Sequence, residues 1–129
     1  MPIIISETVW KNEFRRGKIS AEDALVLFRT ARINLATLIK GADLPKSMCL
    51  LKAYGTSPSG AKRVVYLISP DGKDFFLLFY RNKNDGIGGN VTVKNPKFRK
   101  ALRTHLAWLK EDYKNDRVTV LPAADDAQQ

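Results

Sequence analysis

The stretch Ala61–Asp85, AKRVVYLISPDGKDFFLLFYRNKND, constrains this chain more than any other. Two runs of β-branched, aromatic and leucine side chains flank Ser69-Pro70-Asp71-Gly72, a sequence of strong turn formers. The pattern predicts a hairpin with strands over Arg63–Ile68 and Phe75–Asn82. Each strand is almost continuously apolar, as in strands covered on both faces. The second run exits into Arg81-Asn82-Lys83-Asn84-Asp85. Strands hold such charges rigidly, which matters where they must meet one particular phosphate.

The flanking segments supply helices. Ile3–Ser6 reads as a first strand and Glu7–Arg16 as a short helix with Val9, Trp10 and Phe14 on its apolar side. Ser20 is a good N-cap, with Glu22 and Asp23 in the first turn where the helix dipole favours acids. Ala24, Phe28, Ala31, Leu35 and Leu38 recur at helical spacing, which predicts one long helix closed by Gly41. Met48–Tyr54 reads as a strand and Gly55–Gly60 as a loop. Asp85–Asn95, with three glycines, reads as a flexible excursion. Asn95-Pro96 starts a helix running to about Lys114, with a stripe of Phe98, Leu102, His105, Leu106, Leu109 and Tyr113. Arg117–Leu121 reads as a last strand at a sheet edge, and residues 123–129 as a disordered acidic tail. The expectation is one α+β domain over residues 1–122, a small antiparallel or mixed sheet with two N-terminal helices and a C-terminal helix.

Charge narrows the partner. The chain has 129 residues, with 22 Lys and Arg against 13 Asp and Glu, a net charge of +9. Such an excess suits nucleic acid or another polyanion and says nothing of the fold. Cys49 is the sole cysteine, so an internal disulfide is excluded, and its apolar neighbours place it in the core. Met1–Ile5 lacks the basic start and length of a secretory leader, and no apolar run approaches membrane-spanning length. A cytoplasmic protein without membrane contact is expected.

Several chemistries are excluded. Without a Cys/His cluster no zinc site is expected, and no phosphate-binding glycine loop ending in Lys-Ser/Thr is present, so neither metal nor cofactor is expected. The one histidine, His105, falls on the apolar stripe of a helix, which suits a satisfied core residue better than a catalytic one. The acidic pair Glu111-Asp112 reads as a solvated helix end. What remains is cationic: Lys52, Lys62, Arg63, Arg81 and Lys83, interleaved with Tyr54, Tyr66 and Tyr80. A solvated edge is the plain reading of Lys62 and Lys73, but Arg63 stands within an apolar strand and must reach an edge or a partner. Strand alternation puts Arg81 and Lys83 on one face, with Tyr80 and Asn82 on the other. Such cations can cleave RNA without metal. The ribose 2′-OH is an internal nucleophile, and Arg and Lys stabilise the charge that develops on phosphate.

Three stretches carry a family resemblance: GAKRVVYLI (Gly60–Ile68), FFLLFYRNKND (Phe75–Asp85) and the basic helix ending in WLKED (Trp108–Asp112), after the opening IISETVWKNEF (Ile4–Phe14). Together they resemble the RelE/ParE superfamily of bacterial toxins, most closely its HigB-like, RelE-type members. The resemblance implies the RelE-like microbial RNase fold and the toxin of a type II toxin–antitoxin pair, a ribosome-dependent mRNA endonuclease acting without metal. It implies mRNA, the ribosome and a cognate antitoxin as partners. By position it assigns Arg63 and Arg81 to phosphate and transition-state contacts, Lys52 and Lys83 to proton transfer or further charge stabilisation, and Lys62, Asn84 and Tyr80 to RNA binding. The superfamily also holds inhibitors of DNA gyrase that do not cut RNA, so a ParE-like inhibitor and a basic nucleic-acid-binding regulatory module remain the rival readings.

Overall fold

Apolar runs in the central strands require cover on both sides of a sheet, and helices supply it on each. The computed structural model describes residues 2–32, 37–42, 44 and 47–121. In chain order they form β1 (Ile3–Ser6), α1 (Glu7–Glu13), a 3-10 turn (Arg15–Gly17), α2 (Ala21–Thr30), β2 (Thr37–Leu38), β3 (Cys49–Ser57), β4 (Gly60–Ile68), β5 (Phe75–Asn82), α3 (Pro96–Lys114) and β6 (Val118–Leu121). The architecture is α+β: one six-stranded mixed sheet in the order β2-β3-β4-β5-β1-β6, with three helices. β1 runs parallel to β5, and the other neighbours are antiparallel. No helix among the described residues is long and apolar enough to cross a membrane.

The sheet divides the core in two. On one face Ile3, Ile5, Leu51, Val64, Tyr66, Phe75 and Leu77 pack with Val9 of α1 and with Val26 and Leu27 of α2. On the other, Ile4, Leu50, Val65, Leu67, Phe76, Leu78 and Phe79 pack under Phe98, Leu102 and Leu109 of α3. Leu78 and Phe79 are adjacent yet share a face because the β4–β5 register shifts there: Val65 pairs with Phe79 and Tyr66 with Leu77, leaving Leu78 as a β-bulge. One extra residue reverses the facing of everything beyond it. Tyr80 therefore turns toward α2, and Arg81 joins the α3 face.

The bulge also leaves an edge to be satisfied. β1 pairs β5 only at Phe75 and Phe76. Beyond that point α1 and α3 take over. The His105 ring donates from Nδ1 to the Leu78 carbonyl over 2.6 Å, and the Tyr80 N–H donates to Glu13 Oε1 over 2.8 Å. Two side chains thus pair the Leu78 carbonyl and the Tyr80 N–H on the β5 edge, where no strand does.

Caps predicted from sequence hold α2 and α3: Ser20 Oγ accepts from Asp23 N–H and Asn95 Oδ1 from Lys97 N–H. Four expectations change. The long second helix stops at Thr30, where Thr30 Oγ1 bonds back to Val26 O and to Tyr66 OH. Leu38 then lies in β2 beside Leu51, because the open edge of β3 offers pairing that continued helix would forgo. Leu35 and the residues 123–129 lie outside the described residues. The expected loop at Gly55–Gly60 is mostly strand: β3 and β4 pair through Ser57↔Gly60 about a two-residue turn, Pro58-Ser59. The Gly55 position is required small, since a Cβ there would meet Val26 Cγ1 at 2.6 Å where α2 crosses. Cys49 is exposed, since α2 crosses the opposite end of β3. Finally, α3 buries Asp112 and exposes Tyr113. Asp112 Oδ2 accepts from Thr8 N–H and Oδ1 from Arg117, tying the start of α1 to the end of α3. Burial opposes its charge, but those hydrogen bonds hold the carboxyl below the usual carboxylate range.

Candidate nucleic-acid interface

The pairing register brings the predicted cations together. Tyr54 lies opposite Arg63 across β3–β4, and Arg63 lies opposite Arg81 across β4–β5. Directly opposed residues have Cβ atoms about 5 Å apart, so the three make one row over three strands on the α3 face. Lys52, two residues before Tyr54, stands beside that row. The Arg63 guanidinium carbon lies 3.9 Å from the centre of the Tyr54 ring, a stacked cation–π contact on a tyrosine that is 55% exposed. Among the described residues no carboxylate lies within 4.0 Å of the Arg63 or Lys52 charge. Lys52 Nζ donates to the Val91 carbonyl over 3.2 Å, which fixes the amine against the glycine-rich loop. The result is a guanidinium held over a ring, with a positioned ammonium nearby. Stacking leaves the edge donors of an arginine free for an anion.

Arg81 is in a different state. Its Nε and NH2 donate to the two oxygens of Glu13, both over 2.8 Å, and NH1 reaches Asp85 Oδ2 over 3.5 Å. The Glu13 side chain is fully buried, and that of Arg81 is mostly so. Burial disfavours the Arg81 charge, but Glu13 and Asp85 outweigh it and raise its pKa. His105 Nε2 lies 3.9 Å from Glu13 while its ring stacks on Phe79. Burial pulls the His105 pKa below its ordinary 6.5, so the ring is neutral near pH 7 and Glu13 answers Arg81 alone. The arginine expected to grip phosphate is also the bolt between α1 and β5.

The glycine-rich segment is folded and closes the α3 side of the row. Asp85 Oδ1 accepts from Ile87 and Gly88 N–H, and Asn95 Nδ2 donates to Gly86 O and Asn90 O. Gly88 packs against the Asn82 carbonyl so closely that no Cβ fits. Between this loop and α3 runs a shallow cleft of about 520 Å³, lined by Arg81, Asp85, Lys97, Lys100, Thr104 and Trp108 among others.

The remaining predicted residues are placed apart. Lys62 faces α2, donating to Asn82 Oδ1 and lying 5.5 Å from the Tyr80 ring centre. Tyr80 is buried against Phe14, and its hydroxyl donates to Asp23 Oδ1 over 2.7 Å. Burial first, and then Asp23, raise the Tyr80 pKa far above the ordinary phenol value. Lys83 and Asn84 are exposed in the turn after β5. Sequence reasoning named Tyr54 beside the cations but gave it no site role, and it did not select Glu13. The first was recoverable: reading Pro58-Ser59 as a hairpin turn fixes Tyr54 opposite Arg63. The second had no local signal, because Glu13 and Arg81 are distant in the chain. Among the described residues, no group of three or more His, Cys, Asp or Glu side chains is placed to hold a metal ion. Comparison with protein-family models, with curated proteins and with solved structures finds no match to this chain.

Proposed function

We propose that this protein is a RelE-type toxin that cleaves messenger RNA on the ribosome, with Arg63 on its Tyr54 platform binding the scissile phosphate and Lys52 serving proton transfer beside it. The observation that carries the reading is the Tyr54–Arg63 stack: a half-buried arginine on an exposed tyrosine, without an acidic partner among the described residues, standing on a rigid sheet. In the proposed step the ribose 2′-oxygen bonds to phosphorus while the bond to the 5′-oxygen breaks. The products are a 2′,3′-cyclic phosphate and a 5′-hydroxyl, and the proton of the 2′-OH passes to a base while the leaving oxygen gains one. Arginine donors stabilise the negative charge that accumulates on the phosphoryl oxygens between those events. What supports the reading on the side of the fold is the coarse α+β plan, a mixed sheet with two helices near its start and a long helix near its end. An antitoxin covering this cationic face belongs to the same proposal.

One observation favours a second reading. Tyr80 and His105 are both enclosed and hydrogen-bonded, and the one exposed phenol of the row, Tyr54, is the ring under Arg63, which leaves no imidazole there for proton transfer. A protein that grips its target without cutting, whether a nucleic acid or a gyrase-type enzyme, would need none. Induction in growing bacteria separates the two. Under the first reading the wild type arrests growth with loss of translated messages, and Arg63→Gln or Lys52→Gln restores growth. Arrest that persists in both folded variants refutes this site, and arrest with intact messages transfers the case to the second reading.

A further inference from the structure

Lys97, Lys100 and Arg103 stand in an i, i+3, i+6 row on the first half of α3, all exposed. The placement is electrostatically adverse. The first turns of a helix carry the positive end of its dipole, and α3 has no acid in its first turn. Like charges three residues apart repel along the helix. Among the described residues none of the three has a carboxylate within 4.0 Å. Folding therefore gains nothing from these charges, and an external anion is what they can serve.

Their position says which anion. Lys97 and Lys100 line the cleft that Arg81 closes at its far side, and Arg81 lies opposite Arg63. Asp85, the only carboxylate in the cleft wall among the described residues, is already engaged by Ile87 and Gly88 N–H and by Arg81. A path of positive charge thus runs from the Tyr54–Arg63 stack, past the Arg81 ion pair, to the α3 row. Repeating phosphates would meet both ends of such a path, whereas a single small anion would need one. We propose that the α3 row is a second phosphate-binding station that holds the RNA backbone beyond the phosphate at Arg63. This rests on the proposed function in taking RNA as the ligand, but it assigns a distinct site with a role in binding and none in chemistry.

The test is fluorescence anisotropy with a labelled single-stranded RNA of about 20 nucleotides, titrated with the full chain over a range of salt concentrations. Three proteins are compared: wild type, Lys97→Gln/Lys100→Gln/Arg103→Gln, and Arg63→Gln. The triple variant is expected to bind at least about tenfold more weakly, and its salt slope to fall by about two, since each phosphate contact on a single strand contributes about 0.7. Its melting temperature should be unchanged or higher, because adverse charges have gone, which a structural role for the row would not give. A triple variant with wild-type affinity and slope, beside an Arg63→Gln variant that binds weakly, overturns the α3 station and leaves the proposed function standing. Undiminished binding by both variants overturns both. A wild type that ignores RNA but captures a polyglutamate probe through the row overturns the phosphate assignment in favour of an acidic protein.

Discussion

Removing the Glu13 carboxylate should cost this fold more than any surface ion pair would. Glu13→Ala deletes three hydrogen bonds at once: two from Arg81 and one from the Tyr80 amide. A stranded buried N–H costs about 1–3 kcal/mol. Breaking a buried ion pair costs about 3–5 kcal/mol when the remaining charge has no escape. Here the Arg81 side chain is 26% exposed, so its guanidinium can turn toward water and Asp85, and only about 1 kcal/mol of that penalty remains. The expected total is about 2–4 kcal/mol, or roughly 10 °C in melting temperature for a chain of this size. Glu13→Gln keeps an acceptor for Tyr80 and should lose about half as much, roughly 1–2 kcal/mol. Urea unfolding followed by tryptophan fluorescence measures both, since Trp10 shares α1 with Glu13 and Trp108 packs on His105. A double cycle with Arg81→Met should show a coupling of at least about 1 kcal/mol. A Glu13→Ala protein within about 0.5 kcal/mol of wild type would refute the argument that this carboxylate closes the β5 edge.

Two further outcomes test neighbouring parts. The folded-state pKa of His105 is depressed below its ordinary 6.5, so its contribution to stability is full above that value and is lost as pH falls through the folded pKa. Wild type should therefore lose stability on acidification from pH 7 toward 5, and His105→Gln, measured by the same unfolding curves, should be flatter across that window while less stable at neutrality. Gly88→Ala forces a Cβ onto the Asn82 carbonyl and should destabilise by about 1–3 kcal/mol, with loosened protection of the Asp85–Asn95 amides in hydrogen exchange. An unchanged stability and exchange pattern would show that the loop can relax around it.

How much of this was legible in the sequence differs by element. The central hairpin, the Ser20 and Asn95 caps and the edge strand β6 follow from local chemistry, and the structure has them. The end of α2 does not follow, because the apolar spacing continues through Leu35 and Leu38 as if the helix went on. The edge of β3 decides that point, and no window of local sequence contains it. The Leu78 bulge is equally silent, since an unbroken apolar run carries no mark of where one residue slips out of register. It matters most for the candidate site. Without the slip, Arg81 would face α2 with Phe75 and Leu77 instead of lying beside Arg63. The sequence singled out the cations, but which of them are free was a tertiary matter. Arg81 meets Glu13, Lys62 meets Asn82, and Arg63 meets a tyrosine in place of an acid.

The central claim is that the Tyr54–Arg63 row handles the phosphate that is cut. Mapping of messenger RNA 5′ ends after brief induction, wild type against Arg63→Gln, tests it most directly. The account predicts new 5′-hydroxyl ends within translated reading frames for the wild type, reduced about 100-fold or more in the variant, as loss of a transition-state contact requires. The same cuts at the same frequency in a folded Arg63→Gln protein, or no cuts in a wild type that arrests growth, would contradict it.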